Sequence, residues 1–170
     1  AAVPEYGIDV SAVMREVFER ERTHTRSMSG HLTASIEPRL YARISAHDLK
    51  RIVTNLIENA RRYGRSEEDG RAHIALSTRL QGHLIVIDVA DRGTGVAPAD
   101  VERLLRPFAR GELARTGVSG AGLGLAIVER LLGQVGGRLD LLPNTPSGLI
   151  ARIELPKVRT RSGTTESATI

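Results

Sequence analysis

Three groups of residues have the types and spacing to hold a ligand. Asn55, Asn59 and Arg62 recur at intervals of four and three, so on a helix they share one face. An amide oxygen there suits a hard metal ion, and a guanidinium beside it suits a phosphate. The run Leu84-Ile85-Val86-Ile87-Asp88-Val89-Ala90-Asp91 follows. Side chains alternate along a strand, so Ile85, Ile87 and Val89 lie on the face that ends in Asp91. A carboxylate closing a buried aliphatic row needs a partner, and the amino group of an adenine would serve. Gly93 and Gly95 come next, where a missing Cβ lets the backbone pass close to a flat ligand. The third group is Gly120, Gly122 and Gly124, interleaved with Ala121 and Leu123 and followed by Leu125. Glycines that open a helix present N–H groups to phosphate.

Each group has a plainer counterpart. Asn55, Asn59 and Arg62 also describe a solvated helix face, and Asp91 also describes a turn leaving a strand. The glycine run neither follows a strand, as a dinucleotide fingerprint requires, nor ends in the Gly-Lys-Ser/Thr of a Walker loop. What distinguishes the chain is the order: an Asn-bearing helix, a strand closed by Asp-x-Gly-x-Gly, a loop, then a Gly-rich helix start.

The elements that must position these residues read as follows. Residues 5–9 suit a short strand. Asp9 or Ser11 caps a helix to about residue 21, with a polar loop over residues 23–30 and a strand over residues 40–44. Ser45 and Asp48 form a capping box for a helix to Tyr63, whose apolar stripe is Leu49, Ile52, Val53, Leu56, Ile57 and Ala60. Residues 72–80 and 83–90 are strands joined through Gln81-Gly82, and residues 98–105 a short helix. Residues 106–121 lack periodicity and read as a mobile loop. Residues 123–135 form a helix with Ile127, Val128, Leu131 and Val135 on one face, ended by Gly136-Gly137. Residues 138–142 and 149–155 close a last hairpin. The predicted fold is α+β, a two-layer sandwich: a mixed, mostly antiparallel sheet of about five strands, covered on one face by three helices. Residues 1–156 would form the domain and residues 157–170 a disordered polar tail.

This order resembles the catalytic, ATP-binding domain of sensor histidine kinases, in the wider superfamily of gyrase, Hsp90 and MutL ATPases. Asn55 to Tyr63 looks like the family's Asn box. Asp91-Arg92-Gly93-Thr94-Gly95 looks like its first glycine box, Arg106-Pro107-Phe108-Ala109-Arg110-Gly111 like its Phe box, and Gly120 to Leu125 like its second glycine box. Residues 107–128 are most similar to EnvZ-type osmosensor kinases. The resemblance implies that Asn59 holds Mg²⁺, that Asn55 and Arg62 lie near the phosphates, and that Tyr63 lines the nucleotide. Asp91 would accept from the adenine amine, with Gly93 and Gly95 wrapping the base. Phe108 would anchor an ATP lid over residues 106–121, disordered without ATP. Arg110 or Arg115 would neutralise the γ-phosphate. Gly120, Gly122 and Gly124 would hinge the lid and meet the phosphates, together with Ala121, Leu123 and Leu125. Ala121 departs from the Thr or Ser of many relatives, a loss of about 1 kcal/mol if that hydroxyl bonds a phosphate.

Two features sharpen the implied mechanism. Superfamily members that hydrolyse ATP carry a Glu four residues before the metal-binding Asn. Here that position is Asn55, which cannot act as a base, and Glu58 lies about 100° around the helix from Asn59. None of His24, His31, His47, His73 and His83 sits in the Ser-His-Glu/Asp-x-Arg-x-Pro-like context of a phosphoacceptor. The acceptor hairpin is therefore expected upstream of residue 1, in a homodimeric parent of the bacterial inner membrane that passes phosphate to a response regulator. The chain itself is expected to be a monomeric cytoplasmic module. Alternative readings are an ATPase clamp, which Asn55 disfavours, a nucleotide-binding regulatory module that never transfers phosphate, and a basic nucleic-acid binder.

Composition bounds these readings. The 170 residues allow one domain with a tail, 41% hydrophobic but only 3% aromatic, so aliphatic side chains must build the core. The absence of cysteine removes disulfides, thiolate metal sites and a Cys nucleophile. The formal net charge is +4, and all but Lys50 and Lys157 of the 24 basic residues are arginine. Arginine clamps phosphate well, but these are scattered and few aromatics lie among them, which argues against a nucleic-acid surface. No apolar run approaches the roughly 20 residues of a membrane span.

Overall fold

Helix α1 (Val10–Ser27) starts where Asp9 accepts the Ala12 N–H at 2.9 Å, a cap worth about 1 kcal/mol. The computed structural model describes residues 4, 6–105 and 121–159, with side chains outside that description at 104–105 and 121–124. The helix runs a turn and a half past the expected end near residue 21, through residues expected to be a loop. Its polar residues decide this. Glu21 and Thr25 are buried, and Arg61 of the next long helix donates to Glu21 at 2.7 Å and to Thr25 at 3.3 Å. Tertiary pairing overrides the weak helix propensity of the threonines.

Strand β1 (Ile8–Asp9) pairs with β3 (Tyr41–Ala42) in a separate two-stranded ribbon. The five-stranded sheet takes β2 (His31–Ile36) instead, a strand that the sequence reading did not assign. Leu32, Ala34 and Ile36 alternate with polar residues there, but the segment is short, on a sheet edge and weakly apolar. The sheet order is β2, β4 (His73–Gln81), β5 (Leu84–Ala90), β7 (Leu149–Pro156), β6 (Arg138–Pro143). Only β2 and β4 pair in parallel. The mixed, mostly antiparallel sheet is thus as expected, with different membership.

Helix α2 (Ala46–Tyr63) begins at Ser45, whose hydroxyl accepts the Asp48 N–H, and buries its whole predicted stripe. Helices α3 (Pro98–Leu105) and α4 (Ala121–Gly133) complete the helical layer. In α4 the buried residues are Leu125, Val128, Leu131 and Leu132, while Ile127 is 39% exposed. Of the expected face, Val128 and Leu131 are buried and Val135 packs partly on the core; Ile127, about 100° around the helix from Val128, is on the outside and Leu125 and Leu132 take its place. Beyond α4, Gly137 donates to Leu132 O and Gly136 to Gly133 O, with Gly136 at φ +73°. This is a Schellman closure, which needs the left-handed glycine.

Leu76, Val89 and Ala151 meet side by side across three strands, as do Ile87, Ile153 and Leu139. All are buried beneath the helices. After β7, Lys157 still donates to His83 O and Val158 to Tyr41 O, and residues 160–170 lie outside the description. Among the described residues no helix is long and apolar enough to cross a membrane.

Candidate functional site

The last two turns of α2 carry Leu56, Asn59, Ala60 and Tyr63 to one wall of a cavity of about 300 Å³. Leu56 and Ala60 extend the core stripe, and Asn59 projects beside them because it precedes Ala60 by one position. Among the described residues, the Asn59 Nδ2 is buried without a hydrogen-bond partner. An orphaned N–H donor of this kind costs about 1–3 kcal/mol, a cost that an acceptor on a ligand in the cavity would remove. Asn55 is half-buried and does not line the cavity, and Arg62 is exposed, 3.6 Å from Glu58. The predicted row of three therefore splits: Asn59 lines the cavity, Asn55 and Arg62 do not, and Arg62 lies in a solvent-screened pair.

The facing wall comes from β5 and the chain beyond it. Asp91 is 6% exposed. Its Oδ1 accepts from Gly93 N and Leu149 N, both at 3.0 Å. Its Oδ2 carries no hydrogen bond among the described residues, so one acceptor stays available to a ligand. Burial pushes this carboxyl above the usual aspartate range, and the Gly93 and Leu149 N–H groups only partly pull it back. Among the described residues no counter-charge contributes.

Glycines make that geometry possible. A Cβ on Gly64 would lie 2.4 Å from the Asp91 carboxylate, and one on Gly93 would lie 2.7 Å from Gly64 Cα. Gly95 has φ +76° and packs on the Gly148 carbonyl, at 2.8 Å from where a Cβ would be. Gly148 has φ +112°, and a Cβ there would lie 2.0 Å from Asp91 O. Glycine is required at both left-handed positions. The rest of the lining is largely aliphatic: Val89, Val96, Leu125, Leu141, Leu149 and Ala151, with Thr94. Apolar walls with few polar groups are the usual composition of a small-molecule pocket. The arrangement suits a flat apolar ring whose edge donates a hydrogen bond to Asp91, with polar ligand groups reaching Asn59.

The sequence-predicted residues sort accordingly. Asn59, Tyr63, Asp91, Gly95 and Leu125 line the cavity, and Gly93 packs behind it. Ala121, Gly122, Leu123 and Gly124 form the start of α4. Phe108, Arg110, Arg115 and Gly120 lie outside the described residues, with the expected lid. Sequence reasoning missed Gly64, Gly148, Leu149, Val96 and Leu141. Gly64 directly follows the Asn box and Gly148 closes a turn, which marks them as glycines but not as neighbours of Asp91. Among the described residues no group of three or more His, Cys, Asp or Glu could hold a metal. The Asn59 Oδ1 could add one oxygen to a hard cation carried mainly by its ligand's oxygens.

Comparison with known proteins gives the frame for this site. Residues 44–159 match the family described as histidine kinase-, DNA gyrase B-, and HSP90-like ATPase. The chain is 30% identical over 121 residues to the sensor protein KdpD of Escherichia coli, spanning 71% of this chain and 13% of that protein. It is 34% identical over 109 residues to the sensor protein CutS of Streptomyces coelicolor, spanning 64% of this chain and 26% of that protein. The chain thus corresponds to about a quarter or less of these relatives. Among solved structures, full-length ShkA in complex with AMPPNP superposes with a TM-score of 0.72 at 25% identity, covering 95% of this chain and 34% of that one. The chain belongs to the histidine kinase-, DNA gyrase B- and HSP90-like ATPase family, as a domain homologous to the catalytic domains of two-component sensor kinases.

Proposed function

We propose that this domain binds Mg-ATP and donates the γ-phosphate to a histidine on a dimerisation domain of the same parent protein, for relay to a response regulator. The observation that carries this is the pairing, in one aliphatic cavity, of an Asp91 oxygen without a donor and an Asn59 Nδ2 donor without an acceptor among the described residues, which complement an amine edge and an anionic oxygen of one ligand. Asp91 would accept from the adenine amine, with Gly93 and Gly95 passing beside the base and Tyr63 along the nucleotide. Asn59 would hold Mg²⁺ through Oδ1, with Asn55 and Arg62 toward the phosphates. Phe108, Arg110, Arg115 and Gly120 to Leu125 would supply the lid and phosphate contacts. The metal, when bound, would neutralise charge on the phosphate oxygens, and the protein's part is positioning and electrostatics. Asn55 stands where a water-activating carboxylate would be needed, which favours transfer over hydrolysis.

Within the family we assign the chain to the EnvZ-like osmosensor branch, on the resemblance of residues 107–128. We further propose a monomeric domain on the cytoplasmic side of a homodimeric membrane parent.

The test is calorimetric titration with a non-hydrolysable ATP analogue, with and without Mg²⁺, on the wild type and Asn59→Ala, followed by transfer from labelled ATP to a helical hairpin carrying an acceptor histidine. Binding that requires Mg²⁺ in the wild type and collapses in Asn59→Ala is expected. Absence of wild-type binding would sink the site. Binding without transfer to any hairpin would favour a regulatory nucleotide module.

A further inference from the structure

The loop that joins β6 to β7 lies beside the end of β5 and holds Asp91. Residues 144–148 join β6 to β7, and the Asp91 backbone is tied to that hairpin at every polar atom. Its N–H donates to Leu149 O at 2.9 Å. Its carbonyl accepts from Asn144 Nδ2 at 2.7 Å, and its Oδ1 accepts from Leu149 N. Asn144 is itself held rigidly. Its backbone N–H donates to Gly148 O at 3.0 Å, and its Oδ1 accepts the Thr145 N–H at 2.9 Å. That second bond fixes which end of the amide is the donor, since the atom accepting an N–H must be oxygen. On the far side, Arg92 Nη1 reaches Thr145 O at 2.5 Å.

We propose that Asn144 is a positioning residue for nucleobase selectivity: by clamping the Asp91 carbonyl, it sets where Oδ2 meets the base. This rests on the reading of Asp91 as the adenine acceptor. The Asn144 bond is the only side-chain bond to the Asp91 carbonyl among the described residues. Gly148, which has no Cβ, lets the loop approach that carbonyl. Without the Asn144 donor, the peptide following Asp91 loses its tether, the Gly93 N–H that holds Oδ1 shifts with it, and the carboxylate is left on the Leu149 N–H. A base with an amine at its edge loses a hydrogen bond. A base with a carbonyl there never had one.

The experiment compares a non-hydrolysable ATP analogue with its inosine counterpart, which carries a carbonyl in place of the amine. Both are titrated against the wild type, Asn144→Ala and Asn144→Asp. The aspartate variant keeps the shape and the acceptor for Thr145 but has no N–H for Asp91, so it tests the one bond even if the alanine variant folds poorly. Expected is a wild-type preference for the adenine compound that shrinks about tenfold in both variants, the worth of one buried hydrogen bond, with inosine affinity unchanged. A preference fully kept in Asn144→Asp, or a parallel fall in both affinities, overturns the proposal. A wild type that does not distinguish the two bases removes the Asp91 reading itself, and this inference with it.

Discussion

Asp88 and Asp91 stand three residues apart at the end of one strand, and both are buried, at 8% and 6% exposure. Their environments are opposite. Asp88 points to the open face of the sheet, where Arg152 grips both its oxygens at 2.8 and 3.0 Å and Arg79 adds a third contact at 3.0 Å. Burial alone would raise its pKa, but the two guanidinium groups reverse that and hold the carboxyl below the usual range. Asp91 faces the cavity with amide donors on one oxygen and no cation among the described residues, and its carboxyl stays above the usual range. A carboxylate saturated by arginine is finished as structure. One left half-satisfied in an apolar cavity holds a free acceptor for a ligand.

The comparison breaks most sharply at its two centres. Asp91→Asn should abolish detectable binding of an adenine nucleotide, a fall on the order of a hundredfold or more, because an amide donor would face the adenine amine. Asp88→Asn should leave that affinity within about twofold while lowering unfolding free energy by about 1–3 kcal/mol, since charged hydrogen bonds are lost. Titration calorimetry and denaturant unfolding of both variants separate the roles, and equal effects on binding would end the distinction. Next in size is Gly64→Ala, which puts a methyl 2.4 Å from the Asp91 carboxylate. Nucleotide affinity should fall at least about tenfold through the displaced acceptor, read in the same titration.

Acid should separate the two aspartates by pH. The folded pKa of Asp91 is raised, so its ionisation costs stability at neutral pH and that cost vanishes as pH falls through the raised value. Proton uptake there removes the acceptor, so the preference for adenine over inosine analogue should begin to decline at a pH above the ordinary aspartate range. Asp88 has a lowered pKa, so its stabilisation persists above the unfolded value and is lost only as pH falls through the lower, folded one. Base preference lost only together with the fold would contradict this order. The smallest effect concerns Thr78, whose buried hydroxyl has no partner among the described residues. Thr78→Val should raise stability by about 1 kcal/mol with nucleotide binding unchanged, measured by thermal unfolding. Lost binding would mean that this orphan, like the Asn59 amide, serves the ligand.

Where local pattern and burial agree, the chain was readable. Ser45 and its six-residue stripe gave α2, the aliphatic run gave β5, and Gly136-Gly137 closed α4, because each rests on period, capping or a left-handed glycine. Where polar residues were used for packing, it was not. Glu21 and Thr25 looked like a helix fading into loop, yet they bind Arg61 forty and thirty-six residues away. Ile127 looked like core and is exposed, because it lies about 100° around the helix from the buried Val128, at the margin of the apolar face.

The sequence by itself determined the order of the motifs, the helix that carries Asn59 and the strand that delivers Asp91, since these depend on neighbours within a few residues. Only the tertiary structure decided which residues share the cavity. Gly64, Gly93 and Gly148 are glycines for the sake of Asp91, and Asn144 holds its carbonyl across 53 residues of chain. Those requirements are exclusions and angles between distant segments, and no local periodicity records them.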